Sequence, residues 1–323
     1  MTTTLSSFAE LVAPEIRKDI HRQLLQLRDA DGRLPCHPYT KWIGAHWTLV
    51  SLADTGYPAG DTELLPLREQ VLDWLFSVVH IKNIKTINGR VRRCASQEGN
   101  ALYAMLKLGI ADDRIEWLVD SLLRWQWDDG GWNCDKNPAA HCSSFHETIT
   151  PLRSLIAYRQ ATGTNRVDDT IVRAAEVFLS RGMFRRKHDG SLIDGTHRTP
   201  QKRQSMFHRK HDGSGIKTIF LLLHYPPYYH YDVLFGLKVM AEGGFIGDAR
   251  CKEALDWLES KRLAGGGFPL EAKYFRYIPE LKWGKGWTSG VTQVQWGKVS
   301  RRTPNPFVTA DAMFILNVAG RGN

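Results

Sequence analysis

Gln126-Trp127-Asp128-Asp129-Gly130-Gly131-Trp132 is the stretch on which the fold turns. Before it, Ile115, Leu118, Val119, Leu122, Leu123 and Trp125 recur at helical spacing and predict a helix over 115–127. Asp128-Asp129-Gly130-Gly131 breaks that helix, since paired glycines supply the positive φ a tight turn needs. After it, Ser143 or Ser144 can cap a second helix, with Glu147 three residues beyond Ser144 in capping-box spacing. The second helix runs through Leu152, Leu155 and Ile156 to about Gly163. The stretch is therefore the hinge of a helical hairpin.

The same plan recurs outward in both directions. One unit is Ile16 to Leu27, Asp31-Gly32, then a helix from about Gly44 to Ala53. The next is Leu67 to Val79, Asn88-Gly89, then Ser96 to Leu108. Beyond the central hairpin come Thr170 to Ser180 with Tyr228 to Ala241, and Cys251 to Arg262 with Phe307 to Val318. Hairpins of this kind cannot each bury a face alone, so they stack. Unequal loops and divergent repeats favour a closed barrel over an open solenoid. The expected fold is all-α: one α/α toroid of about five to six helical hairpins, spanning 1–323 as a single domain.

Composition agrees with a globular chain: 42% hydrophobic and 24% charged residues. No apolar run reaches the roughly 18 residues of a membrane span, and Met1 to Ala13 lacks the pattern of a signal peptide. Five scattered cysteines point to a reducing, cytoplasmic setting. The formal charge is +9. Much of it lies between Arg181 and Lys217, which predicts an excursive basic loop at about 181–217, outside the core. Within it Met183-Phe184-Arg185-Arg186-Lys187-His188-Asp189-Gly190-Ser191 nearly repeats at Met206 to Ser214. The loop reads first as a solvated insertion; peripheral contact with an anion or a membrane surface is the alternative. No nucleic-acid-binding signature accompanies it.

Gln126, Gly130 and Trp132 fit the Gln-x3-Gly-x-Trp core of the QW repeat, so the chain resembles the squalene cyclase and protein prenyltransferase repeat family. Glu147-Thr148 looks like the Gln-Thr that opens an inner helix there. Ser144 to Glu147 and His224 to Asp232 resemble segments of bacterial squalene-cyclase-like proteins. The other units match in plan rather than in letters. Two departures stand out: the Asp-x-Asp-Asp acid motif of triterpene cyclases is absent, and so is the Asp-x-Cys of the prenyltransferase zinc site. The resemblance implies an α/α toroid with a central cavity and a small-molecule substrate of isoprenoid type.

In such a toroid the inner-helix N-termini gather at one mouth, and function resides in what decorates it. Those starts carry Trp42 and His46; Arg93, Gln97, Glu98 and Asn100; Ser144, His146 and Glu147; Tyr228, Tyr229, His230 and Asp232; then Asn305, Thr309 and Asp311. The expected catalytic residues are Glu147 supported by His146, then Asp232, His230 and Asp311. Trp42, His46, Glu98, Asn100, Tyr228 and Tyr229 are the expected substrate contacts. The favoured chemistry is acid-catalysed cyclisation or isomerisation, or prenyl chemistry, with aromatic rings stabilising a cation. Three alternatives stay open: a metal at His230, Asp232 and Asp311; acid–base hydrolysis or lysis of a polar substrate such as a sugar; and a non-catalytic binding module. Each acid could also be a first-turn residue favoured by the helix dipole. Cys134-Asp135 and His141-Cys142 have no standard zinc-finger spacing, and neither a metal nor a cofactor is assigned.

Overall fold

Apolar periodicity and glycine turns produce two kinds of helix, alternating along the chain. The computed structural model describes residues 11–186, 190, 219–281 and 289–322. Its helices are α1 (Pro14–Leu25), α2 (Ala45–Asp54), α3 (Leu65–Leu75), α4 (Val78–Lys82), α5 (Ser96–Lys107), α6 (Arg114–Trp125), α7 (Phe145–Thr162), α8 (Asp168–Leu179), α9 (Val233–Glu242), α10 (Lys252–Glu259) and α11 (Pro306–Val318). The chain is mostly helical, as expected. Strands are confined to an antiparallel ribbon, β1 (Lys85–Ile87) with β2 (Arg90–Arg92), and a two-residue parallel pair, β3 (Arg276–Tyr277) with β4 (Val291–Thr292).

Helices α1, α3, α6, α8 and α10 bury one face. In α6 that face is Ile115, Leu118, Val119, Leu122 and Trp125, each worth roughly 1.5–3 kcal/mol in transfer from water. Helices α2, α5, α7, α9 and α11 are instead buried around most of their circumference. They contact one another in chain order, α2 to α5 to α7 to α9 to α11, while the one-faced helices pack against them. One hydrophobic cluster runs from Val12 to Leu316.

The last long loop crosses back to the first hairpin. Gln295 N–H donates to Gln23 Oε1 at 2.8 Å. Trp42 N–H donates to the Val291 carbonyl at 3.0 Å, and Gly290 N–H to the Lys41 carbonyl at 2.7 Å.

The central turn sits where its motif places it. Gln126 Nε2 donates to Gly130 O and to Thr170 O, joining the end of α6 to the start of α8. A Cβ on Gly130 would lie 2.3 Å from Arg173 O, and its φ is +96°. Trp132 Nε1 donates to Leu122 O in α6 at 3.0 Å.

Two boundaries differ from expectation. Helix α9 begins at Val233 rather than Tyr228, because Pro226-Pro227 precedes it and Asp232 takes the N-cap, accepting from Phe235 N–H at 2.7 Å. The basic excursion does not begin at Arg181: Met183 and Phe184 are buried, and Tyr231 Oη donates to Met183 O at 2.6 Å. Residues 187–189 and 191–217 of that loop lie outside the described residues, as does the second copy of its duplication. No helix among the described residues is long and apolar enough to cross a membrane.

Candidate active-site rim

The turn after Gly131 fastens the start of α7. Trp132 N–H donates to Thr148 Oγ1 at 3.1 Å, and Ser144 N–H donates to Trp132 O at 2.9 Å. Asp129 accepts from the Ser143 amide at 2.7 Å and from its hydroxyl. With Ser144 N–H committed to Trp132, the expected capping box does not form. Glu147 reaches sideways instead: its Oε2 accepts from Ser96 N–H, the first residue of α5, at 3.1 Å. It thereby satisfies one of the free amides at the N-terminus of a neighbouring inner helix. Its Oε1 lies 3.4 Å from Cys134 Sγ, whose S–H donates to it. Glu147 is 6% exposed. Burial pushes its carboxyl above the usual range, against the Ser96 bonds and the Cys134 S–H.

Around Glu147 stand half-buried polar and aromatic side chains: Tyr39, Lys41, Cys94, Gln97, Cys134 and Tyr229. Lys41 Nζ donates to Tyr229 Oη at 2.8 Å and lies 4.5 Å from that ring's centroid. Burial lowers the Lys41 pKa, and the acidic groups of Cys94 and Glu147 oppose that shift. The Cys134 thiol is held up by its hydrogen bond with Cys94 and by burial. Trp42 stacks on Tyr228 at 4.1 Å, and His230 lies between Tyr229 and Tyr274, at 4.1 and 3.6 Å.

The expected site residues divide by position. His146 does not support Glu147. Consecutive helix residues point about 100° apart, and His146 Nδ1 accepts from Tyr231 N–H at 2.7 Å, with His230 as a ring neighbour at 5.9 Å. Burial lowers His146 to about 4 and keeps it neutral. Trp42, Tyr228, Tyr229 and His230 form one aromatic cluster, and Asn100 donates to Tyr228 O at 3.2 Å. His46 lies apart among Tyr39, Trp47 and Trp74. Glu98 is locked to Arg93 at 2.5 Å and to His80 at 3.3 Å. Burial would raise its carboxyl, but the His80 bond and the Arg93 charge together bring it below the usual range.

Asp232 is spent on the α9 cap and on His224 Nδ1 at 3.0 Å. Asp311 pairs with Lys238 at 2.5 Å, and burial still raises it to about 6. His230, Asp232 and Asp311, the set left open as an alternative metal site, do not form a ligand cluster among the described residues.

Two features escaped the sequence. The first is a buried ionic centre to which α2, α5, α7, α9 and α11 all contribute. Arg153 of α7 binds Asp54 of α2 at 2.6 Å and Glu242 of α9 at 2.7 Å; its guanidinium lies 3.8 Å from the Tyr103 ring of α5; Lys238 of α9 meets Asp311 of α11. Nothing in the helical periodicity marks these charges as partners. The second is the approach of Cys94 to Cys134. Cys94 stands between Arg93 and Gln97, both placed at the rim by their spacing, so the signal was present.

No protein-family model matches the chain, and no curated protein is similar to it.

Proposed function

We propose that the chain is a single-domain α/α toroid, closed by its last loop on its first hairpin, and that it acts as an enzyme at the rim around Glu147. Closure is supported by the ordered contacts of the five inner helices and by the bonds from Gln293 and Gln295 to Gln23. One observation carries the choice of Glu147. The other candidate acids, Glu98, Asp232 and Asp311, each have a basic side chain as ion-pair partner, whereas the donors to Glu147 are the amide and hydroxyl of Ser96 and a thiol. A buried carboxyl is rarely left in neutral company unless its chemistry is used.

The chemistry that fits is acid–base work on an isoprenoid-type substrate, its apolar chain lying on Tyr39, Trp42 and Tyr229, whose rings can stabilise developing positive charge. The buried ion pairs of Arg153 with Asp54 and of Lys238 with Asp311 favour a second reading, a substrate more polar than a hydrocarbon, because they place charge among the most buried helices.

Incubation of the chain with squalene, farnesyl diphosphate and a panel of glycosides, followed by mass spectrometry, tests both. The first reading expects an isoprenoid product that disappears in Glu147→Gln. Turnover of a glycoside alone selects the second. Product formation unaffected by Glu147→Gln overturns the rim assignment.

A further inference from the structure

No basic side chain donates a hydrogen bond to Glu147 among the described residues, and its Oε1 faces the Cys134 thiol. Cys94 lies in the segment leading into α5, Cys134 in the segment leading into α7, and Glu147 in the first turn of α7. One sulfur from each cysteine and one carboxylate oxygen all lie within 4.8 Å of one another. We propose that Cys94, Cys134 and Glu147 bind a zinc ion. The inference rests on the rim being the reaction centre.

The spacing fits a tetrahedral ion. With Zn–S of about 2.3 Å and Zn–O of about 2.1 Å, ligand atoms on one zinc stand about 3.5–3.8 Å apart. Cys134 Sγ and Glu147 Oε1 are 3.4 Å apart, and Cys94 Sγ lies within 4.8 Å of both. A small outward movement of three side chains opens the site.

The donor set selects the metal. Two thiolates with one carboxylate suit a borderline-soft ion, whereas calcium and magnesium take oxygen ligands. Both cysteines are free and half-buried, which leaves a path of entry. The N-termini of α5 and α7 meet here, and their dipoles favour the anionic ligand forms.

On binding, the two thiols, and the carboxyl wherever it carries a proton, release their protons to solvent, and three bonds form to zinc with no change of oxidation state. Two thiolates and a carboxylate leave the complex with one net negative charge, and Lys41 is close enough to offset it. Among the described residues no other histidine, cysteine or acid joins the cluster. The fourth position is thus open to water or substrate, as in catalytic zinc sites. Glu147 then acts as a ligand, and the proton-handling group of the rim becomes the water in that position.

The test is metal content of the tag-free full chain, expressed with zinc, together with the absorption spectrum of the cobalt-substituted chain. The expected results are about one zinc per chain and an intense thiolate-to-cobalt band. Cys94→Ser and Cys134→Ser should each weaken metal binding at least about tenfold, while Cys142→Ser and Cys251→Ser leave it unchanged. Zinc content that ignores Cys94 and Cys134, a cobalt spectrum without the thiolate band, or a Cys94–Cys134 disulfide in freshly isolated protein overturns the inference. If the serine variants fail to fold, the cobalt spectrum of the unmodified chain decides alone. Zinc bound without turnover of any substrate sinks the enzymatic reading and leaves the metal; turnover in a chain that binds no zinc does the reverse.

Discussion

The side chain of Gln126 crosses from the end of α6 to the backbone carbonyl of Thr170 in α8, 2.9 Å away. The same Nε2 also closes its own turn on Gly130, so one amide couples hairpin geometry to the spacing of α6 and α8. Gln126→Ala strands two carbonyls and should cost about 1–3 kcal/mol. Gly130→Ala should cost more, because its Cβ would meet Arg173 O at a positive φ. Gly163→Ala is the control: its φ is +70° but its surroundings are open, so only backbone strain of about 1 kcal/mol is expected. Urea unfolding midpoints give all three.

How far the fold could be read follows from that turn. Gly130, Trp132 and the one-faced pattern of α6 announce a hairpin, and that pattern is local. The start of α9 was misjudged by five residues because Tyr228 to Tyr231 are apolar enough to look helical, whereas Pro227 and the Asp232 cap act against it. Among the rim residues, Trp42, Tyr228, Tyr229 and His230 do cluster. Glu98 and Asp311 do not join them, because Arg93 and Lys238 capture their carboxylates. Arg93 stands five residues before Glu98 at the same helix start, whereas Lys238 lies on the helix facing Asp311, and helical spacing gives a residue's depth along its own helix but not the charge on the facing one.

Arg153 of α7 holds two carboxylates, the buried Asp54 of α2 and the half-buried Glu242 of α9. Arg153→Met leaves both acids uncompensated and should destabilise by about 3–5 kcal/mol. Combining it with Asp54→Asn and Glu242→Gln should recover much of that loss, since no unpaired charge then remains. Unfolding by urea at neutral pH measures both. A triple variant no more stable than Arg153→Met would show that packing of the guanidinium on Tyr103, rather than charge, is what matters.

His46 gives the fold an acid limit. It is 1% exposed, neither ring nitrogen has a hydrogen-bond partner among the described residues, and burial, with His80 adding to it, lowers its pKa to about 3. The unfolded chain takes up a proton at His46 near pH 6.5, whereas the folded chain does so only near pH 3. Stability from this group is therefore whole above about pH 6.5 and is lost as pH falls. Between about pH 7 and about pH 5 the loss from His46 alone should be about 2 kcal/mol. His46→Met, of similar volume, should flatten the pH dependence of the unfolding free energy by that amount. An unchanged slope would mean that the ring is hydrated or paired.

Glu147 has two roles that substitution can separate. Its Oε2 accepts the Ser96 amide and so finishes the N-terminus of α5, and its Oε1 faces the thiols where chemistry is proposed. Glu147→Gln keeps an oxygen for Ser96 but can neither donate an acidic proton nor bind a metal as a carboxylate. Glu147→Ala removes both functions and leaves a buried amide unsatisfied, at about 1–3 kcal/mol. The expected result is a melting temperature nearly unchanged in Glu147→Gln and lowered in Glu147→Ala, with turnover reduced roughly 100-fold or more in both. Full turnover in Glu147→Gln beside a destabilised Glu147→Ala would make Glu147 a cap for the neighbouring helix and nothing more. The catalytic role could not then pass to Asp232, the other acid nearest the rim aromatics, because its two oxygens are already engaged by Phe235 N–H and His224.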